Sequence, residues 1–499
     1  MARPLICLCL TGATLEEDLA IAEQYRQYID IVELRVDFLE DDERLNIRNF
    51  PSMVKIPCIL TIRRVIDGGR YSEGEASRTM LFARALAFAE QNSAKNFAYV
   101  DFEEDFNVPS LQDAAMAFGT KIIRSYHNMT EPVSNIVERV NKMRVTGFEI
   151  PKIAFMPHSL QDVTDLLVEA EKLKNSNQIL CAMGPLGLPT RILAARFHSY
   201  LTYTSPSELI GNLAEIGHID PKTLETRYYF HSLEVRTKIF GITGYPLKVT
   251  SSPKIHNAYF KKNCMNAVYI PFRSESAQDA FHFAKTADIK GFSVTIPHKE
   301  NIMAFLDKID PKAQEIGACN TVINDGGVWT GFNTDCTGFQ RALLEFTSLS
   351  DLKGKNVAII GAGGASKAIA FAVHELGAKA CVFNRTIPKA RKLAEQYGFD
   401  YAPLDAASRE KLREYSDIII QTTSKGMGAT SESDETNDPI WFYEFLGTEL
   451  LFDIVYEPEV TPVMQRAAAS GCKVCNGFKM LEYQAEAQFE LYKKVYEQN

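Results

Sequence analysis

No apolar stretch of the 499-residue chain reaches the ~20 residues that span a bilayer, which excludes a helical membrane protein. Positive charge is also in short supply: 54 Lys and Arg stand against 63 Asp and Glu, a net charge of -9. Without a cationic excess there is no general attraction to phosphate backbones, so nucleic acid is not expected as a partner. A few local arginines suffice for a small anionic substrate. Internal repeats and low-complexity tracts are missing too. The ten cysteines are scattered, most of them in apolar runs (Cys7, Cys9, Cys58, Cys181, Cys381), where a thiol acts as a small hydrophobe. The CxxC pair, Cys472 and Cys475, lacks the second ligand pair of a zinc site, so no metal is expected. The opening Arg3-Pro4 followed by Leu5 to Leu10 is too short for a signal peptide and reads as a first strand. With no transit-like extension before it, a reduced cytoplasmic protein is expected. No feature fixes an oligomeric state.

What is present is a globular composition, 46% hydrophobic and 23% charged, in a length that suits two to four domains. Up to about Tyr203, eight short apolar runs alternate with amphipathic stretches: Leu5 to Leu10, Ile31 to Leu34, Ile59 to Ile62, Phe97 to Val100, Lys121 to Arg124, Ile153 to Met156, Ile179 to Ala182 and Tyr200 to Tyr203. Alternating strands and helices imply a parallel sheet, and eight such units imply a (β/α)8 barrel. An open doubly wound sheet competes, but this half has no Gly-rich phosphate turn. Asp220 to Arg236 reads as a connector. The pattern then restarts at Lys238 to Ile242, Ala267 to Ile270 and Phe292 to Ile296. It restarts again at Lys355 to Ile360, which precedes Gly361-Ala362-Gly363-Gly364-Ala365-Ser366. The domains predicted are 1–225, 236–338 together with 478–499, and 339–477.

In a barrel, chemistry belongs at the C-terminal ends of strands. Glu33, Arg35, Arg63, His127 and Arg191 fall there, while Lys152 shares the phase of Ala154 and Met156. A lone lysine would be solvated at the rim. In the company of a histidine, three arginines, Glu33 and Asp67, a desolvated lysine can instead attack a ketone to form a Schiff base. Arginines suit a substrate carboxylate, and a histidine base suits proton abstraction beside the iminium.

In the second half, the glycine turn follows a strand and opens a helix, the setting in which backbone N–H groups hold a pyrophosphate. The weaker alternative is a structural glycine turn at a helix start. The next strand ends in Asn384-Arg385-Thr386, with Lys389 nearby. Positive charge where an NAD enzyme carries a carboxylate favours the 2′-phosphate of NADP. Lys299, just past a strand, and Asp335, at a helix start, suit a proton relay to an alcohol. Each alone reads as a surface charge or a helix cap.

These residues also carry two resemblances. Ile31 to Asp37, Thr61-Ile62-Arg63, Ser125-Tyr126-His127 and Ile150 to Ala154 resemble, in order, the motifs of class I 3-dehydroquinate dehydratases. The resemblance implies Lys152 as the Schiff-base lysine and His127 as the acid/base. It places the carboxylate that supports this histidine on Asp67, where the family usually has Glu. Its small-Pro-Gly-Gln turn falls on Ser205-Pro206-Ser207-Glu208. Thr204 and Glu208 are therefore expected at the substrate, Glu208 adding charge there or pairing with Arg191.

Gly244-Tyr245-Pro246, Thr250 to Pro253, Ser293 to Glu300, Gly317 to Thr321, Gly331 to Asp335, Thr423 to Met427, Asp453 to Tyr456 and Gly477 to Leu481 resemble the motifs of shikimate dehydrogenases. This second resemblance implies a two-domain α/β half with a Rossmann NADP domain, and Lys299 and Asp335 as the catalytic pair. Thr250 (commonly Ser in the family), Ser252, Thr295, Asn320, Tyr456 and Gln484 are implied at substrate. Thr423, Ile454 and Gly477 join Gly361, Ala362, Gly363, Gly364, Ala365, Asn384, Arg385, Thr386 and Lys389 at the cofactor.

Together the halves resemble bifunctional shikimate-pathway enzymes. They imply dehydration of 3-dehydroquinate to 3-dehydroshikimate and its reduction by NADPH to shikimate, with these small molecules as the partners. Two rivals stand beside this: a dehydrogenase half preferring quinate, and a non-catalytic sensor of pathway metabolites.

Overall fold

Residues 3–86, 91–173, 177–208, 216–247, 250–429 and 431–498 are described by the computed structural model, and the chain divides into two compact units, Met1–Ile289 and Lys290–Asn499. The first unit is built on eight parallel strands: β1 (Leu5–Leu10), β2 (Ile31–Arg35), β3 (Cys58–Thr61), β4 (Tyr99–Glu103), β5 (Lys121–Asn128), β6 (Ile150–Phe155), β7 (Ile179–Ala182) and β8 (Leu201–Thr204). They are ordered β7-β6-β5-β4-β3-β2-β1-β8. The seam between β7 and β8 is drawn together by a Gln178–Ser199 bridge and by Tyr200 N donating to Gln178 O at 2.6 Å. The result is the near-closed (β/α)8 barrel expected from the run spacing.

Strand alternation sorts the residues. One set of side chains packs in a cluster containing Cys7, Cys9, Ile31, Ile59, Tyr99, Ile123, Ile150, Ile179, Leu201 and Tyr203. The alternate set, including Leu8, Leu10, Val32, Leu34, Leu60, Val100 and Phe102, packs in a separate core with Phe50, Phe82 and Leu86 from the surrounding helices. Two residues beyond the first cluster, towards the C-terminal ends, the same strand phase holds Glu33, Thr61, Asp101, Ser125 and Lys152. The polar layer is thus a direct result of strand register.

Several strands run further than their apolar residues suggest. The fourth begins at Tyr99 and continues through Asp101 to Glu103, and the fifth extends to Asn128, so that His127 lies inside it. The segment 220–236, expected as a connector, carries a helix, Pro221–Tyr228, capped by Asp220. His231 then ties back to Asp30 on the barrel at 2.9 Å. The reason is local: Asp-Pro starts a helix well, and Leu224 and Tyr228 bury one face of it.

One buried acid in the barrel is set apart from the polar layer. Asp18, on the helix Leu15–Tyr25, accepts the Gly12 N–H at 2.8 Å through Oδ1, while Oδ2 has no partner among the described residues. Burial pushes its pKa up to about 7. The folded state therefore keeps a proton that the unfolded chain loses above ~4, and stability falls as pH rises between these values. Asp18→Asn is expected to flatten that fall and to gain roughly 2 kcal/mol at pH 8. Unfolding midpoints across pH 4 to 8 check this; an unchanged slope would count against it.

In the first unit β9 (Lys238–Thr243) and β10 (Ala267–Pro271) pair in parallel. In the second, β11 (Ile289–Val294), β12 (Lys308–Ile309), β13 (Thr321–Asp325) and β14 (Val328–Phe332) are joined by antiparallel β11–β13 and β13–β14 ladders and a parallel β12–β14 ladder. There follows a doubly wound parallel sheet of β15 (Asn356–Ile360), β16 (Lys379–Asn384), β17 (Asp400–Pro403), β18 (Ile418–Gln421), β19 (Leu450–Asp453) and β20 (Lys473–Cys475). Its order, β17-β16-β15-β18-β19-β20, puts the switch point between β15 and β18. The last helix, Phe478–Gln498, returns against the helix Thr334–Thr347. They approach at Gly338, where a Cβ would lie 2.7 Å from Gln484 N and Met480 O, so any larger residue would force the helices apart.

Candidate active sites

A cavity at the C-terminal ends of the barrel strands is lined by Glu33, Arg35, Arg63, Asp67, His127, Lys152, Arg191, Tyr203 and His218, among others. Lys152 is 5% exposed. Its Nζ donates to Asp101 Oδ2 at 3.0 Å, lies 4.0 Å from Glu33 Oε1 and sits 4.2 Å from the centroid of the Tyr203 ring. The sequence sets Glu33 and Asp67 in its company; the structure adds Asp101 against its Nζ.

Asp101 is the hub of this layer. It also pairs with Arg63 Nη2 at 2.7 Å and accepts from Ser125 Oγ at 2.5 Å. Burial pushes its carboxyl up, but Arg63, Lys152, His127 and Ser125 outweigh that and hold it well below the usual carboxylate range. The His127 pKa is lowered as well, and for an imidazole that favours the neutral form. Burial, then the charges of Arg63 and Lys152, push its pKa well down, so the ring is neutral at physiological pH and can take a proton.

The three arginines differ in what is left for a ligand. Arg35 is held by both oxygens of Asp37, at 2.9 and 2.8 Å, and Arg63 by Asp101 and Glu103. Among the described residues Arg191 bonds only carbonyls, Tyr203 O at 3.3 Å and Ile216 O at 2.6 Å, and its Nε has no partner. It is 1% exposed and has no carboxylate partner among the described residues. A buried cation at a cavity wall with its charge uncompensated is a site for an anion.

Three expectations are corrected here. Asp67 reaches the cavity, because Gly68 and Gly69 let its loop fold back over the end of β3, but its carboxylate is taken by Arg64 Nε at 2.7 Å and does not bond His127. His127 Nδ1 has no partner at all among the described residues. Glu208 neither lines the cavity nor pairs with Arg191. It is exposed and accepts from Gln24 at 2.9 Å and Tyr25 at 3.1 Å, which spares its charge any desolvation. Thr204 is buried with its hydroxyl donated to Cys7 O at 2.9 Å, a strand-to-strand bond that leaves it outside the cavity lining. The sequence reading missed Asp101, Tyr203 and His218. Only Asp101 carried a signal, as an acid in strand phase with Tyr99.

In the second unit, Lys299 Nζ meets Asp335 Oδ2 at 2.5 Å, with both side chains mostly buried. Asn320 Nδ2 donates to Asp335 Oδ1 at 2.7 Å, and Asn320 Oδ1 accepts the Thr334 N–H at 2.7 Å, fixing the start of the helix that carries Asp335. Thr295 is half-buried on the loop before Lys299. Tyr456 and Gln484 are half-buried on the loop after β19 and on the last helix. In the first unit, Thr250 Oγ1 donates to Ser252 Oγ at 3.2 Å.

The glycine turn sits at the switch point. Gly361 has φ +118°, and a Cβ there would meet Thr422 Oγ1 at 2.6 Å, so both the backbone and the space demand glycine. Ser366 Oγ accepts the Gly363 N–H at 2.9 Å and contacts Thr422 Oγ1 at 2.6 Å, anchoring the helix Gly364–Glu375. Ala362 and Ala365 flank these glycines, and Gly364 lies beside Lys299, whose Cδ would be 3.8 Å from a Cβ there. Lys367 pairs with Glu300 at 2.8 Å, tying the cofactor-turn helix to the lysine loop. Thr423 follows β18 and Ile454 follows β19. Gly477 packs against Ile454 so closely that a Cβ would come within 2.0 Å of its carbonyl. After β16, Asn384 donates to Thr386 O at 3.0 Å, while Arg385, Thr386 and Lys389 are exposed. No acid pairs with Arg385 or Lys389 among the described residues. The small turn, the helix start and these two unpaired cations fit a dinucleotide bearing a 2′-phosphate.

Comparison with known proteins agrees with this division. Residues 6–234 match the type I 3-dehydroquinase family, 242–322 the shikimate dehydrogenase substrate binding domain, and 344–462 the shikimate / quinate 5-dehydrogenase family. A shikimate dehydrogenase (NADP(+)) of Pyrococcus furiosus is 40% identical over 258 residues, covering 51% of this chain and 90% of that one. The crystal structure of a Thermus thermophilus shikimate 5-dehydrogenase in complex with NADP(H) and shikimate aligns with a TM-score of 0.45 at 31% identity, over 52% of this chain and 94% of that one. The chloroplastic bifunctional 3-dehydroquinate dehydratase/shikimate dehydrogenase of Arabidopsis thaliana is 31% identical over 486 residues, covering 93% of this chain and 77% of its own length. With both halves matched in one relative and in the same order, the chain belongs to the bifunctional 3-dehydroquinate dehydratase/shikimate dehydrogenase family.

Proposed function

We propose that the first unit dehydrates 3-dehydroquinate at Lys152, and that Lys299 and Asp335 serve the NADPH-dependent reduction of the product to shikimate. The observation that carries this reading is the barrel layer itself: a buried lysine, a neutral histidine and an arginine with no counter-charge among the described residues, around one cavity. The domains proposed are 1–225 for the dehydratase, 236–338 with 478–499 for shikimate binding, and 339–477 for NADP.

In the barrel, the substrate carboxylate is assigned to Arg191. Lys152, once its proton has passed to a neighbouring carboxylate or water, attacks the ketone carbon. The ketone oxygen leaves as water and an iminium forms. Neutral His127 then takes the C2 proton, and the released electron pair moves into the iminium to give an enamine. The enamine expels the β-hydroxyl, which His127 protonates so that it leaves as water. Water hydrolyses the remaining iminium and frees Lys152. Asp101, Glu33 and Tyr203 orient the lysine throughout. Sodium borohydride added with 3-dehydroquinate should fix the adduct on the peptide bearing Lys152; labelling of a different lysine would refute this assignment.

In the second reaction, bound NADPH supplies the hydride. Lys299 Nζ donates the proton that the ketone oxygen gains, and Asp335, fixed by Asn320, holds Nζ in place and relays to it a replacement proton taken from water. Thr250, Ser252, Thr295, Asn320, Tyr456 and Gln484 are proposed to bind substrate hydroxyls and carboxylate. Arg385 and Lys389 are proposed to take the 2′-phosphate. Arg385→Asp should weaken NADP binding by about 10-fold or more, as a lost charge-assisted bond worth ~1.5 kcal/mol requires, and leave NAD little changed. Titration of both cofactors checks it, and an unaltered ratio of affinities would remove Arg385 from this role.

The reading keeps the chain cytoplasmic. Among the described residues no helix is long and apolar enough to cross a membrane, and all ten cysteines are free.

A further inference from the structure

Two loops leave the C-terminal ends of β18 and β19, and one pair of side chains holds both. Gln421 ends β18, Asp453 ends β19, and the two stand opposite each other in the parallel ladder. Both are buried. Gln421 turns its whole amide on the loop that follows it. Oε1 accepts the Thr423 N–H at 2.5 Å, and Nε2 donates to Thr423 O and Lys425 O, both at 3.1 Å. Nε2 also reaches Asp453 Oδ1 at 3.4 Å.

Asp453 holds the second loop in the same way. Its Oδ1 accepts the Val455 N–H at 2.9 Å, and its Oδ2 accepts from Thr461 Oγ1 at 2.6 Å. Thr461 is buried and serves both loops. A Cβ on Gly426 would lie 3.2 Å from Thr461 Cβ, so the threonine packs under the first loop while it bonds the carboxylate that carries the second. Gly428 N donates to Glu457 O at 3.0 Å, a direct link between the loops. An amide and a carboxylate thus make residues 423–428 and 454–457 one connected piece.

The sheet order says what this piece faces. A dinucleotide crosses the sheet at the switch point. Arg385 follows β16, the glycine turn follows β15, and β18 and β19 lie on the far side of that turn. With the 2′-phosphate at Arg385, the cofactor runs across the turn and its nicotinamide end comes to β18 and β19. We propose that Gln421 and Asp453 are positioning residues of the reductase, fixing the Thr423 loop at the nicotinamide end and the Tyr456 loop at the substrate in one relation. This rests on the reading of the second half as an NADPH-dependent ketone reductase.

The two act through the loops and not on the ligands. Without the Gln421 amide, Thr423 N–H and two carbonyls lose a buried partner, and the loop is free to shift. Hydride transfer needs donor and acceptor carbons in near contact, so a shift of about 1 Å is enough to cost a large factor in rate.

In the full chain, Gln421→Ala should raise the KM for NADPH by about 10-fold and lower kcat for 3-dehydroshikimate reduction by about 10-fold or more. Adenosine 2′,5′-bisphosphate carries only the β16 end of the cofactor, so its inhibition constant should stay within about 2-fold of the parent. Gln421→Asn is one methylene shorter. It keeps an acceptor for the N–H two residues on and loses reach to Lys425 O, so the KM for NADPH should rise by only about 3-fold. Asp453→Ala should raise the KM for 3-dehydroshikimate by about 10-fold, and combined with Gln421→Ala it should cost less than the product of the single effects.

An unchanged KM and kcat in folded Gln421→Ala would overturn the proposal. So would bisphosphate binding that weakens in step with NADPH, since the role would then be only structural, and so would independent effects in the double variant. Where alanine at 421 prevents folding, Gln421→Asn decides: parental kinetics would overturn the proposal. If the parent reduces 3-dehydroshikimate and only these results fail, the bracket is wrong and the reductase reading survives. A parent chain without that activity would remove both.

Discussion

Replacing Lys152 with alanine is expected to cut dehydration of 3-dehydroquinate by about 10⁴-fold or more, because the covalent route is lost and no second lysine lines the cavity among the described residues. Shikimate oxidation in the same molecules should stay within about 2-fold of the parent, since Lys299 and Asp335 lie in the other unit. The variant should also fold. Asp101 loses one partner but keeps Arg63 at 2.7 Å and Ser125 at 2.5 Å, so no buried carboxylate is left without a partner. The check is a pair of steady-state assays on one preparation. Loss of both activities would mean that the two sites are not independent. Retention of dehydration would mean that another group carries the chemistry.

The second large effect is expected at Asp335. Changing it to asparagine puts an amide where a carboxylate holds Lys299 Nζ at 2.5 Å and accepts from Asn320 at 2.7 Å. The amide cannot accept from both neighbours at full strength. It presents N–H either to an ammonium or to another amide donor. Proton donation to the ketone oxygen should slow by about 10²–10⁴-fold in kcat, the usual range for a lost acid/base partner. KM for NADPH should move little, because the cofactor turn is anchored separately through Ser366 and Thr422. Dehydration should be untouched. An Asp335→Asn protein with normal kcat for ketone reduction would show that the pair is only structural.

The parts of these sites that were legible in the sequence are those with short-range causes. The barrel was readable because each strand carries its own apolar run and the runs alternate with amphipathic stretches. The cofactor turn was readable because its glycines answer a local demand, φ +118° at Gly361 and close packing at Gly477. Lys152 could be placed inside because its phase matches Ala154 within one strand.

What was not legible depends on partners far away in the chain. Asp101 lies 51 residues from Lys152 and directly follows the apolar run Phe97 to Val100. Only the β3–β4–β5 register turns it inward, next to Arg63 and Ser125. His218 enters the cavity because Gly217 crosses over Gly184 and Arg191 grips Ile216, contacts that no periodicity encodes. Glu208 shows the reverse case. A motif match put it at the substrate, but its carboxylate stays in solvent, where Gln24 and Tyr25 satisfy it without desolvation. Asp67 was placed in the right cavity with the wrong partner, because Arg64 close by in the sequence takes its charge first.

The most direct measurement is NADPH oxidation after purified protein is mixed with 3-dehydroquinate, with 3-dehydroshikimate supplied in parallel. Both substrates should support oxidation, and 3-dehydroquinate should do so only after a lag in which 3-dehydroshikimate accumulates. With the Lys152→Ala protein, oxidation should persist on 3-dehydroshikimate alone. Absence of oxidation with either substrate in the parent protein would contradict the assignment of two consecutive reactions to this chain.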